Sequence, residues 1–258
     1  MLKCFIMNSA PEYNDHFSEV SANYNLFRPR YPTALFEHLD SICPEKKLAW
    51  DCATGNGQAA FSLARYFEMV IATDASEEQI SHAEQHPRVS YQVTTAEDSK
   101  LPDQSVNLIT VAQALHWFDL AAFYDEVRRV LKPGGLLAVW TYDLMKLEIR
   151  ELEPLIKNFY ENVVGPYWPP QRKLVENHYR DIEFPFQEQD TPKFKIESAL
   201  VLEELAGYIR TWSATQRYQK DHGTDPVIEL EKSLSQVWDE AEFPITVEWP
   251  ITLRVGTI

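Results

Sequence analysis

Leu48-Ala49-Trp50-Asp51-Cys52-Ala53-Thr54-Gly55-Asn56-Gly57-Gln58-Ala59-Ala60 is the stretch on which the fold turns. An apolar run ends in a carboxylate and two glycines one residue apart turn the chain. Ala60, Leu63, Ala64 and Phe67 follow at helical spacing, so the stretch reads strand, tight turn, helix. Only eight glycines occur in 258 residues. A residue that weakens helices and strands belongs where backbone must turn sharply or approach a ligand, and Gly55 and Gly57 are placed for that.

The ligand class depends on the acid. Gly55-x-Gly57-x-x-Ala60 satisfies the dinucleotide fingerprint, in which a pyrophosphate rests on a helix N-terminus, so a nicotinamide-dependent oxidoreductase is one reading. Asp51 at the strand tip would repel a diphosphate and suit a cationic, zwitterionic ligand such as S-adenosylmethionine (SAM). Asp51, Gly55 and Gly57 together resemble the first motif, Asp-x-x-x-Gly-x-Gly, of class I SAM-dependent methyltransferases. Ala53 departs from it where many members carry a further glycine. The plain alternative is an ordinary βα turn of an α/β core.

Outward from the turn, Met69-Val70-Ile71-Ala72-Thr73-Asp74 is an apolar strand ending in an acid, with Ser76 opening the next helix. Asp74, about 20 residues beyond the glycines, is placed to accept both ribose hydroxyls, or else to cap that helix. Val89 to Thr94 reads as a third strand. The resemblance implies that Ala96 and Glu97 or Asp98 after it border the adenine. Val106 to Val111 is the fourth strand and runs into Ala112-Gln113-Ala114-Leu115-His116-Trp117-Phe118, where ligands of open α/β sheets bind. Gln113 is expected beside the cofactor and His116 and Trp117 beside the reacting centre. There the indole can face a sulfonium, and the imidazole acts as a base or a substrate-positioning donor unless the pair is only packing.

Asp119 precedes a helix with apolar Leu120, Phe123, Tyr124, Val127, Val130 and Leu131 at spacings of three and four, stopped by Lys132-Pro133-Gly134-Gly135. That turn resembles the one after the fourth motif of the same family, and Leu136 to Trp140 returns as a fifth strand. The fourth strand does not continue as Asp or Asn-Pro-Pro-aromatic, the form of adenine-methylating enzymes. No cysteine pair supports cytosine chemistry either.

Composition narrows the class. With 45% hydrophobic residues the chain builds one α/β domain with an elaboration. Three cysteines, Cys4, Cys43 and Cys52, show no paired or metal spacing, so no metal is expected and a reducing cytoplasm is. The apolar run Leu2 to Met7 is too short for a membrane span. A net charge of -15 argues against nucleic acid as partner, since such affinity rests on Lys and Arg neutralising phosphates. A small-molecule substrate remains; the oligomeric state is not legible.

The flanks follow the resemblance to the methyltransferase type 11 group, nearest to a trans-aconitate methyltransferase-like branch. Phe17, Tyr24 and Arg28-Pro29-Arg30-Tyr31-Pro32 match an N-terminal segment that lies over the site. Tyr24 or Arg28 then reaches the cofactor carboxylate, unless the arm merely packs on the surface. A helix follows from Thr33 to Leu39. Residues 148 to 163 read as helix, and an irregular stretch from Gly165-Pro166-Tyr167-Trp168-Pro169-Pro170 to about Pro192 supplies aromatics to roof a pocket. Lys193 to Ala199 is an expected strand, Leu202 to Trp212 a helix, Asp225-Pro226 the start of a helix to Glu240, and Ile245 to Val255 an antiparallel closing strand.

Arg210, Trp212 and Arg217 match the acid-methylating branch, which makes either arginine a candidate for holding a substrate carboxylate. The bland alternative is a pair of helix-end cations. The whole implies a Rossmann-like, seven-stranded, mostly parallel sheet with helices on both faces, the last strand antiparallel, and an inserted C-terminal lid. Its expected parts are a helical cap (1–44), a SAM-binding core (45–145), and a lid with closing strands (146–258). The expected activity is methyl transfer from SAM to a small molecule through a substrate oxygen, that of a carboxylic acid being one candidate, with nitrogen and carbon as the lesser alternatives. A SAM-binding protein without transferase activity is the other alternative.

Overall fold

The computed structural model describes residues 27–239 and 243–258. The apolar runs become the centre of one sheet: β1 (Leu48–Cys52), β2 (Met69–Asp74), β3 (Val89–Val93), β4 (Val106–Ala112) and β5 (Leu131–Tyr142). These pair in parallel in the order β3-β2-β1-β4-β5. β4 is buried almost throughout, as a parallel strand covered on both faces must be. The reversal of strand order between β1 and β4 opens the crevice in which α/β sheets hold ligands.

β9 (Ile245–Thr257) closes the sheet antiparallel to β5. The described residues form nine strands where seven are expected, yet they occupy seven rows. β6 (Lys146–Leu147) and β8 (Phe194–Leu200) meet β9 at the same residue, Glu248, and so lie on opposite edges of it. β5 and β8 likewise share Ile251, and β5 and β7 (Gln187–Gln189) share Thr257. β5 with β6 therefore forms one interrupted row, and β7 with β8 the other.

Side chains alternate along β5. Leu136, Ala138 and Trp140 enter one core and Leu137 and Val139 the other. The first core is covered by α1 (Thr33–Ile42), α2 (Gln58–Leu63) and the C-terminal helices α7 (Leu202–Arg210), α8 (Ser213–His222) and α9 (Val227–Ser235). The second is covered by α4 (Leu120–Val130) and the 175–186 segment. Both expected helix starts carry side-chain caps. Ser76 Oγ accepts from Gln79 N ahead of α3 (Glu77–Ser81), and Asp119 Oδ1 accepts from Ala122 N ahead of α4.

Several boundaries differ from expectation, and α8 has no counterpart among the expected helices. Lys132 to Gly135 lies inside β5, which starts at Leu131, and the β4–β5 register shifts between Val106 and Leu108 to absorb it. The last helix ends at Ser235. The 148–163 helix breaks into a 3₁₀ turn (Arg150–Leu152), α5 (Glu153–Asn158, with Pro154 in its first turn) and a π turn (Phe159–Val163). The π turn carries Tyr160.

Candidate active site

Asp51 is 1% exposed and faces inward. Its Oδ2 accepts from Thr54 Oγ1 at 2.5 Å and from the Ala60 amide at 3.1 Å, while Oδ1 accepts from Thr110 Oγ1 at 2.6 Å. The acid thus ties the glycine turn to α2 and β4. Sequence reasoning missed Thr54 and Thr110, because a threonine partner has no spacing signature. Burial pushes the Asp51 carboxyl up to about 6 against the opposing effect of these hydrogen bonds.

The turn itself is left-handed at Ala53 (φ 53°), Gly55 (φ 57°) and Gly57 (φ 88°). Ala53 therefore occupies a conformation that favours glycine, at a cost of about 1–2 kcal/mol. A side chain on Gly57 would strike the Tyr91 ring, while at Gly55 the nearest atom to an added Cβ is Gln79 Oε1 at 3.8 Å, leaving room for a ligand. Asp74 Oδ2 accepts from the Gly55 amide at 2.8 Å and Oδ1 from the Ser76 amide at 2.9 Å. A carboxylate thus engages a backbone donor that a pyrophosphate would need, and residues 51–60 contain no Lys or Arg. Both features suit a phosphate-free adenosyl ligand.

Further along, Ala96 is buried, and Glu97 Oε1 accepts from the Asp119 amide at 3.1 Å. Gln113 (φ 57°) sits in strained backbone just past β4. Its Oε1 accepts from Thr141 Oγ1 at 2.8 Å, and its Nε2 donates to Tyr142 O at 3.4 Å. Arg28 reaches the same place, with Nη1 donating to Tyr142 Oη at 2.6 Å and Nη2 to Thr211 O at 3.2 Å. Its guanidinium lies 5.4 Å from the Tyr208 ring centre. Tyr24 and Phe17 lie outside the described residues.

His116 and Trp117 occupy a 3₁₀ turn (Leu115–Trp117), their rings 4.8 Å apart. His116 Nδ1 is 2.9 Å from the Tyr179 hydroxyl. Burial and the nearby Arg172 charge lower His116 to about 3, so the ring is neutral at physiological pH. Tyr179, buried and itself pushed well up by burial, had no sequence signal. It follows His178, and both residues are left-handed (φ 55° and 57°). His178 Nδ1 is 2.9 Å from Asp143 Oδ1, and Arg254 Nη1 donates to Tyr179 O at 2.9 Å, so contacts from β9 and the end of β5 hold the strained pair.

Beyond β5 opens a cleft of about 630 Å³ lined by Tyr142, Asp143, Tyr160, Trp168, Arg172 and His178, among others. Trp212, 4% exposed, packs on the rings of Tyr160 and Trp168 behind this wall. The two expected substrate arginines are otherwise engaged. Arg210 Nε donates to Asp225 at 2.7 Å and its Nη2 to Glu231 at 2.5 Å. Arg217 Nη1 donates to Tyr167 O at 3.3 Å, and burial lowers its pKa.

Comparisons with known proteins identify the family. Residues 50–139 match the methyltransferase domain family. A Dictyostelium discoideum protein named as a methyltransferase is 36% identical over 230 residues, covering 88% of each chain. The chain belongs to the class I SAM-dependent methyltransferases.

The Saccharomyces cerevisiae SAM-dependent methyltransferase CRG1 is 23% identical across 89% of this chain and 92% of its own. A structure described as a type II methyltransferase from Anaeromyxobacter dehalogenans is 42% identical and superposes with a TM-score of 0.83, covering 90% of this chain and 98% of that one. As a methyltransferase the chain uses SAM as its methyl donor, and the nicotinamide reading of the Gly55–Gly57 pattern falls away. No helix of the described residues is long and apolar enough to cross a membrane.

Proposed function

We propose that this methyltransferase modifies a small molecule seated in the cleft beyond β5, at a carboxylic acid oxygen. The carrying observation is His116: its Nδ1 is engaged with Tyr179 and its basicity is suppressed to about 3. A phenol or amine acceptor needs a proton removed, for which such an imidazole is poorly suited, whereas a carboxylate is already ionised. In this reading the Tyr179 O–H donates to Nδ1 and the His116 proton sits on Nε2. His116 in this reading is a donor that positions the acceptor.

The residues that would hold SAM are Ala53, Gly55 and Gly57 along the turn, Asp74 at the ribose, Ala96 and Glu97 near the adenine, and Gln113 beside the methionyl part. Arg28, with Tyr24, would meet its carboxylate, and Asp51 would keep the turn in shape. SAM supplies a methyl group on a sulfonium, which already provides the leaving group. The protein's share is alignment and exclusion of water. Residues 146–258 act as lid and closing strands of the same domain.

Incubation with methyl-labelled SAM and a mixed pool of small acids, phenols and amines tests this reading. Label in base-labile methyl esters is expected. H116Q, whose amide donates from the place of Nε2, should keep acid turnover within about tenfold of wild type, with no rate limb near the ordinary histidine pKa between pH 5 and 8. Label in phenols or amines only, abolished by H116Q, would overturn the carboxylate reading.

A further inference from the structure

Arg172 differs from Arg210 and Arg254 in how its donors are used, and from Arg217, whose Nη1 is tied to the Tyr167 carbonyl, in the aromatic faces that orient it. Arg210 and Arg254 each place two nitrogens on carboxylates. Arg172 Nε donates to Tyr160 Oη at 2.7 Å, and that hydroxyl donates to Glu176 Oε1 at 2.6 Å. The phenol thus stands between the cation and the carboxylate that would otherwise pair with it.

The guanidinium is held flat by two rings, 4.8 Å from the Trp168 centre and 5.5 Å from that of Tyr160. Nη1 and Nη2 have no hydrogen bond or ion pair to the described residues. The side chain lines the 630 Å³ cleft together with Tyr142 and Asp143 at the end of β5. Its charge acts on His116, Tyr179 and Asp143. Asp143, whose carboxyl feels the Arg172 charge, is paired with His178.

We propose that Arg172 is the specificity-determining anchor for an anionic group of the methyl acceptor, with the two outer nitrogens forming a fork to a carboxylate. This rests on the reading of the cleft as the acceptor site. An oriented guanidinium edge with two parallel donors matches a planar carboxylate. In a chain of net charge -15 an acid entering this cleft meets an unfavourable overall field, so a local, preoriented cation is what admits it. The aromatic shelf supplies a face for the acceptor's carbon skeleton, and Tyr160 holds the cation's angle. Arg172 thereby takes the role expected of Arg210 or Arg217.

Titration of the adenosylhomocysteine-loaded protein with tricarballylate and with its uncharged trimethyl ester tests the anchor. Wild type should bind the acid at least tenfold more tightly than the ester. R172Q should remove that preference, R172K should keep part of it, and K173Q, which removes an exposed cation on the same rim, should change acid affinity less than threefold. Unchanged adenosylhomocysteine affinity in R172Q shows that the variant is folded. Equal losses in R172Q and K173Q, or equal binding of acid and ester by wild type, would overturn the anchor. Transfer of labelled methyl to bound acids is scored separately: acid binding that depends on Arg172 with no transfer to any acid overturns the cleft as acceptor site and leaves Arg172 as an anion site that does not serve methyl transfer.

Discussion

Asp51, within β1, and Arg172, beside the cleft at the end of β5, are charged groups satisfied in opposite ways. Every contact recorded for the Asp51 carboxylate comes from within the fold, from Thr54, Thr110 and Ala60. Arg172 has one nitrogen tied to Tyr160 and two without a partner among the described residues. A carboxylate closed on all sides shapes the loop proposed to meet the cofactor. A cation open on one edge is shaped for a ligand that arrives and leaves. Buried polar groups cost stability when unpaired, so a fold keeps such an edge only where water or ligand can reach it.

The largest expected effect breaks the closed half. D51A leaves three buried donors without their acceptor and should lower unfolding free energy by about 3–5 kcal/mol, read by urea denaturation, and abolish SAM binding. D51N should cost less, since both threonine hydroxyls can turn and accept. Because burial raises the Asp51 carboxyl to about 6, the folded state binds its proton more tightly than the unfolded chain. Its contribution is present at low pH and lost as pH rises through about 6, so wild-type stability should fall between pH 4 and 6 relative to D51N. A parallel pH dependence in both proteins would place the titrating group elsewhere.

A middle-sized effect sharpens the contrast between arginines. R210Q breaks pairs with Asp225 and Glu231 that are partly open to solvent, and should cost about 1 kcal/mol of lid stability with acid affinity unchanged. A loss of acid affinity with stability intact would return the anchoring role to Arg210. The smallest effect lies in the turn: A53G relieves a left-handed alanine but loosens the unfolded chain, for a net gain of up to about 1 kcal/mol in thermal or urea unfolding. Destabilisation by A53G would mean that the methyl group packs usefully and that strain there is negligible.

Much of the cofactor half was legible because its parts are close in the chain. Asp51, Gly55 and Gly57 lie within seven residues, and Asp74 and Ser76 end a strand and cap a helix by local rules. Even there the reading was partial, since Asp51 was expected to face the ligand and instead braces the turn. The proposed acceptor half was illegible because its contacts depend on irregular backbone rather than on a repeating period. Tyr179 meets His116 across 63 residues, and Tyr160, Trp168 and Arg172 combine only because a π turn and a loop bring them together. Arg210 and Arg172 are both arginines near aromatics in sequence, and nothing local tells a paired one from an open one.

Alternation of apolar residues, the scarcity of glycine and the position of two acids determined a parallel α/β sheet with its glycine turn at the switch point, because strand period, turn geometry and capping act over a few residues. Which charges are neutralised was decided only by tertiary structure. The partner that closes Arg210 and the phenol that holds Arg172 open come from other elements, and their approach depends on how the lid packs against β9 and the end of β5.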